Sequence, residues 1–211
     1  MRTLTQWLVA IAITLAGAAH AGSSIDDTLS ALQHGWAAAY YSTPKPDKNA
    51  AFAALQRQAD AAVQAHPNRA EVLIWHAIVL SSAAKFDGGL GALSLAKRAR
   101  KELEQAEALD ARALDGSVYT SLGSLYANVP GWPIGFGDKD KAAGYLRKAL
   151  AINPDGIDPN FFYGELLAAR GEKSAAKSYL QKALAAPARP GRDDADAGRR
   201  QEVEAALAAL R

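Results

Sequence analysis

The chain has no cysteine, and that one absence removes a whole set of chemistries. Without thiols there is no disulfide, no thiolate nucleophile, no zinc–thiolate site and no N-terminal cysteine to carry a lipid. Histidine is nearly as scarce, with four in 211 residues. Beyond residue 21 only His34, His66 and His76 occur; none has a second histidine or a carboxylate at a recognised metal-ligand spacing, so they read as helix-surface residues. An excess of either charge is missing too. Lys and Arg number 24 against 22 Asp and Glu, a net charge of +2 that leaves no footprint for nucleic acid. Phosphate-loop and nucleophile signatures fail in turn. Gly89-Leu90-Gly91 lacks a third glycine and follows helical text, Gly135-Phe136-Gly137-Asp138 has no Gly-Lys-Ser/Thr behind it, and no Gly-x-Ser-x-Gly occurs. The chain is therefore read as non-enzymatic, with no cofactor and no metal; a motif-poor hydrolase is the remote alternative.

Long apolar runs are missing beyond the N-terminus. Residues 1–21 combine Arg2, an apolar run from Trp7 to Ala19 that is short for a bilayer, and the small-x-small site Ala19-His20-Ala21. This reads as a signal peptide, so a periplasmic domain over 22–211 with no membrane span is expected. Hydrophobic residues make up 49% of the chain, and alanine supplies much of that share, which favours helix nearly throughout.

Helical periodicity organises the rest. Leu29, Leu32, Trp36 and Tyr40 mark a first helix from Ile25 to Tyr41, ended by Pro44 and Pro46. Phe52, Leu55, Ala59 and Ala62 mark a second, closing at His66-Pro67, and together they form a degenerate repeat over 25–67. Leu73, Ala77 and Leu80 lie on a third helix from Ala70 to Ala84, a flexible connection is expected over 86–91, and Ala99, Leu103 and Ala106 lie on the next helix, completing a repeat over 70–112. Two more repeats are read at 113–154 and 157–187. Asp158-Pro159 looks like a cap followed by proline in the first turn, and the acidic groups at Asp138/Asp140, Asp155/Asp158 and Asp193/Asp194/Asp196 all read as helix-opening charge. A final amphipathic helix over 193–211 would bury Ala197, Val203, Ala206, Leu207 and Leu210.

The last two repeats match internally. After Gly164 come Ala176, Leu180 and Ala183 at +12, +16 and +19; after Gly123 come Ala142, Leu146 and Ala149 at +19, +23 and +26. The difference is one insertion, filled by the loop Pro130-Gly131-Trp132-Pro133-Ile134-Gly135-Phe136-Gly137-Asp138. Small residues at these spacings let two antiparallel helix backbones approach closely. The glycine, alanine, leucine, alanine and proline order resembles the tetratricopeptide repeat, a helix pair of about 34 residues. That resemblance implies an all-α superhelical solenoid of about four helix pairs with a C-terminal capping helix, whose A-helices line a concave surface.

Candidate binding residues follow. Trp132, Ile134 and Phe136 put apolar side chains on a loop, where they must cover either the repeat itself or a ligand. Tyr119, Tyr126, Phe162 and Tyr163 fall on A-helices, which by the resemblance would face a groove. The expected function is a binding scaffold for a protein, a peptide or an apolar small ligand. In its fold and loop style the chain is also similar to the T component of tripartite ATP-independent periplasmic transporters. That likeness implies a periplasmic solute-binding protein as partner and a ligand channel through the helices.

Overall fold

The computed structural model describes residues 24–210; the segment read as a signal peptide, 1–21, lies outside them. The architecture is an all-α solenoid. Helix α1 (Ile25–Ala37) opens on Ser24, whose hydroxyl accepts the Asp27 amide, with Asp26 and Asp27 placed to offset the helix dipole. Its end widens into a π-helical turn, Ala38–Ser42, before a short 3-10 turn at Lys45–Asp47. There follow α2 (Lys48–Ala65), α3 (Ala70–Asp87), α4 (Gly89–Asp110), α5 (Ala113–Asn128), α6 (Lys139–Ile152), α7 (Ile157–Ala169), α8 (Lys173–Leu184) and α9 (Asp193–Ala209). The most extensively packed neighbours are α3 with α4, α5 with α6, and α7 with α8.

Two glycines show why those pairs close. A Cβ on Gly123 would stand 2.5 Å from Leu146 Cγ and 3.2 Å from the Ala142 carbonyl; one on Gly164 would stand 2.8 Å from Leu180 Cγ and 3.3 Å from the Ala176 carbonyl. The same register thus recurs in both seams. Leu122, Leu146 and Leu180 are fully buried beside them, each contributing about 1.5–3 kcal/mol of apolar burial. Trp36, Phe52, Val72, Trp75 and Val79 form the core of the N-terminal part, where the indole N–H of Trp36 donates to Ser82 Oγ at 2.8 Å.

Several local expectations are corrected. The connection expected over 86–91 is a single residue: Gly88, at φ 72, turns the chain from α3 directly into α4. Only glycine adopts that geometry freely, so a tight corner replaces the flexible link. Leu114, Asp115 and Gly116 make a left-handed turn, with φ of 51, 55 and 73, before α5 proper. Asp158 is not a cap. Helix α7 begins one residue earlier, and the carboxylate turns inward to two arginines. Asp138 does cap α6, accepting the amides of Asp140 and Lys141, and its carboxyl is held below the usual range chiefly by the Lys141 N–H. On α9 the buried positions are Ala195, Asp196, Gly198, Arg199 and Val203, while Ala197 is exposed. The helix is docked through an ionic stripe that hydrophobic periodicity does not register.

Helix α9 does more than close the end of the stack. Besides α8, it packs against α7, α1 and the π-turn, so the C-terminus returns to the first helix. At the crossing, a Cβ on Gly198 would lie 2.4 Å from the Tyr41 ring.

Candidate functional site

The inserted loop is built as an anchored base with a projecting tip. At the base, Gly137 N–H donates to the Pro130 carbonyl at 2.9 Å, Asp138 N–H donates to the Tyr126 carbonyl at 2.9 Å, and Gly131 bridges Gly137. Side chains are excluded here. A Cβ on Gly137 would sit 1.8 Å from the Val129 carbonyl oxygen, and one on Gly135 2.5 Å from that of Pro130. Phe136 faces inward, meeting the Tyr126 ring edge-on at 5.4 Å and carrying the Arg100 guanidinium at 4.4 Å. Trp132 and Ile134 face outward. They are 90% and 70% exposed, the most exposed large apolar residues of the described chain. Amides of Ile134 and Gly135 both donate to the Gly131 carbonyl at 3.1 Å, which fixes the tip between them.

Of the remaining candidate residues Tyr126 meets the loop through Phe136, while Phe162 and Tyr163 pack against other helices. Tyr119 and Tyr126 of α5 both stack on Tyr145 of α6, at 6.2 and 5.7 Å, with Lys148 and Lys141 over their rings. Tyr163 meets Tyr179 of α8 edge-on at 4.8 Å. Phe162 lies under the Arg199 guanidinium of α9, at 4.8 Å, beside Phe161 at 4.6 Å. Four of the seven candidates thus pack against this chain's own helices. Phe136 belongs to the loop's anchor, and Trp132 and Ile134 alone are free at its tip.

Residue spacing did not reveal the charged cluster that holds α9. Asp158 accepts from Arg199 Nε at 2.8 Å and Arg189 Nη1 at 2.7 Å; Asp196 accepts from Arg189; Glu202 accepts from Arg199 at 2.6 Å and from Tyr41 Oη at 3.0 Å. Burial alone would raise the Asp158 carboxyl, but Arg199 and then Arg189 overcome it and bring it to about 2. Burial also disfavours charge on Arg199, yet Asp158 outweighs it and the guanidinium is driven further up. The Tyr41 hydroxyl is pushed well up by burial, with Glu202 adding to the shift and Arg199 opposing it. Arg192, at the N-cap of α9, stacks over Trp75 of α3 at 4.8 Å. Aromatic residues of α3, α7 and the π-turn are thus covered by α9 and the arginine before it.

His76 is a further correction. It is 1% exposed rather than on a helix surface, with Nδ1 2.9 Å from Glu102 and Nε2 3.2 Å from Asp60. Its partners come from α4 and α2, so no spacing within one helix marks them. The two carboxylates lie on opposite edges of the ring, and among the described residues no group of three or more His, Asp or Glu is placed to hold a metal. Nor is any described helix long and apolar enough to cross a membrane.

These features define a tetratricopeptide-type helical repeat fold with a docked C-terminal helix. The solved structure of TTC0263, a thermophilic TPR protein of Thermus thermophilus, is similar with a TM-score of 0.62 at 21% identity, over 89% of this chain and 81% of that one. Among curated proteins, the Sel1-repeat-containing protein YjcO of Escherichia coli strain K12 is 32% identical over 126 residues, 60% of this chain and 49% of that protein. YjcO of Shigella flexneri matches over the same extent. The chain spans about half the length of these curated relatives. No protein-family model matches it.

Proposed function

We propose that this chain is an exported, non-catalytic repeat scaffold that docks a protein partner through Trp132 and Ile134. The observation that carries the reading is the division of labour within one loop. Phe136 and the glycines fasten its base, while the two most exposed large apolar side chains of the described residues project from its tip. A pre-shaped aromatic anchor of this kind binds at low entropic cost, and tryptophan is enriched among residues that dominate interfaces. A protruding tip suits a partner's pocket. A small apolar ligand needs a concave enclosure of its own, which this tip does not provide. The partner is accordingly a folded protein or peptide with an apolar pocket that admits an indole, a class that includes periplasmic solute-binding proteins. The short apolar run and Ala19-His20-Ala21 support periplasmic export, which N-terminal sequencing of the fractionated protein tests.

The docking test compares Trp132→Ala/Ile134→Ala with Phe136→Ala. The tip variant is expected to keep its melting temperature and lose partner affinity by about 30-fold, since an anchor contributes about 2 kcal/mol or more. Retention of the partner by the folded tip variant would overturn the reading.

A further inference from the structure

Independently of the loop, we propose that the cleft between the π-turn, the end of α3 and α9 is a binding site for a small organic acid. Lys48 and Lys85 hold its carboxylate, and Tyr40 and Phe86 receive its apolar body. The cleft is an open cavity of about 380 Å³ lined by Tyr40, Tyr41, Lys48, Lys85, Phe86 and Glu202, among others. Phe86 also borders a second hollow of about 430 Å³ with Lys45 and Asn49.

Both ammonium groups lie over the same pair of rings. Lys48 Nζ lies 5.4 Å from the Tyr40 ring and 4.9 Å from that of Phe86; Lys85 Nζ lies 4.9 and 6.0 Å from the same two rings. Among the described residues no carboxylate oxygen comes within 4.0 Å of either ammonium. Lys48 donates to the Tyr40 carbonyl and Lys85 to the Tyr40 hydroxyl. An ammonium has three donors, so each keeps two to offer. The carboxylates that face the cleft do not take them. Glu202 is engaged by Arg199 at 2.6 Å and by the hydroxyls of Tyr41 at 3.0 Å and Tyr40 at 3.3 Å. Glu165 of α7 has its carboxyl raised by burial and by Glu202, against the pull of Arg199 and Lys85.

The apolar half of the site has a separate structural cause. Consecutive residues of a regular helix point about 100° apart, whereas the π-turn places Tyr40 and Tyr41 in edge contact at 4.9 Å and turns both toward α9. Tyr40 also meets Phe86 at 5.6 Å. Trp36 stacks on Tyr40 at 4.9 Å and Phe52 on Phe86 at 5.4 Å, so one face of each ring is covered from within the chain. Two ammonium groups beside the remaining ring surface match a carboxylate with an apolar body, whereas an inorganic anion would engage the ammonium groups alone.

The probe is 3-phenylpropionate, titrated into the mature protein and followed by amide NMR shifts, with 3-phenylpropionamide and inorganic phosphate as the other arms. The acid is expected to give saturable shifts centred on residues 40, 41, 48, 85 and 86, weakened by salt. The amide and phosphate should bind about tenfold more weakly or not at all, because only the acid satisfies both halves of the site. The variant Lys48→Gln/Lys85→Gln is expected to lose the same factor, while Lys182→Gln on α8 loses nothing. Equal binding of acid and amide, equal binding of phosphate at these residues, or the absence of saturable shifts with the acid would each overturn the proposal. Because the first comparison uses the unaltered protein, instability of the double variant does not rescue the idea.

Discussion

Glycine and aspartate positions carry the sharpest consequences at the scale of single residues. Gly164→Leu is expected to cost about 3 kcal/mol or more, since even the first carbon of the new side chain meets Leu180 at 2.8 Å. Gly171 has open space around it but a φ of +81, so Gly171→Ala should cost about 1–2 kcal/mol from backbone geometry alone. Chemical denaturation of both variants checks the order, and equal losses would mean that the seam is not where the backbones meet. The seam was legible because the alanine and leucine spacing after Gly123 repeats after Gly164. Asp158 was not legible: its neighbour Pro159 suggests a cap, and nothing near it in sequence announces Arg189 and Arg199. With its carboxyl near 2 in the folded chain, below the ordinary value of about 3.9, it contributes stability above about pH 4 that is lost as the pH falls toward 2. Comparing urea unfolding of wild type and Asp158→Asn at pH 6 and pH 2.5 should show the wild type losing on the order of 2 kcal/mol more on acidification. Identical pH slopes would remove the ion cluster from the stability account.

At the scale of elements, the loop and α9 separate what patterning reveals from what it conceals. The insertion announced itself by its length against the neighbouring repeat and by apolar residues among glycines. Its internal division did not, because the direction of Phe136 depends on Arg100 from α4 and Tyr126 from α5. Phe136→Ala should therefore destabilise by about 1–3 kcal/mol, whereas Trp132→Ala/Ile134→Ala should stay within about 0.5 kcal/mol of wild type. Thermal unfolding decides it, and a large loss in the tip variant would make the loop a structural plug. Periodicity found α9 but predicted burial of Ala197, which is exposed; the docked face instead carries Asp196, Gly198 and Arg199. Gly198→Ala should loosen that docking, because a Cβ there enters the Tyr41 ring. Hydrogen exchange is expected to accelerate in α9 and the π-turn while α5 and α6 keep their protection; uniform acceleration would count against a local clasp.

Across the whole molecule, repeat stacking supplies the solenoid and α9 ties its last repeat to its first. The aromatic residues that a bare repeat would present, Trp75 and Phe162 among them, lie under the chain's own arginines. The proposed function accordingly assigns recognition to the projecting tip rather than to the covered face. The measurement that bears most directly on that claim is in-cell photo-crosslinking, with a photoreactive phenylalanine analogue placed at position 132, at position 136 and at the exposed control position 197. Recognition by the tip requires a discrete protein adduct at 132, absent at 197 and lost when Ile134 is also changed to Ala. Equal labelling at 132 and 197, or adducts at neither while the protein is folded and exported, would contradict it.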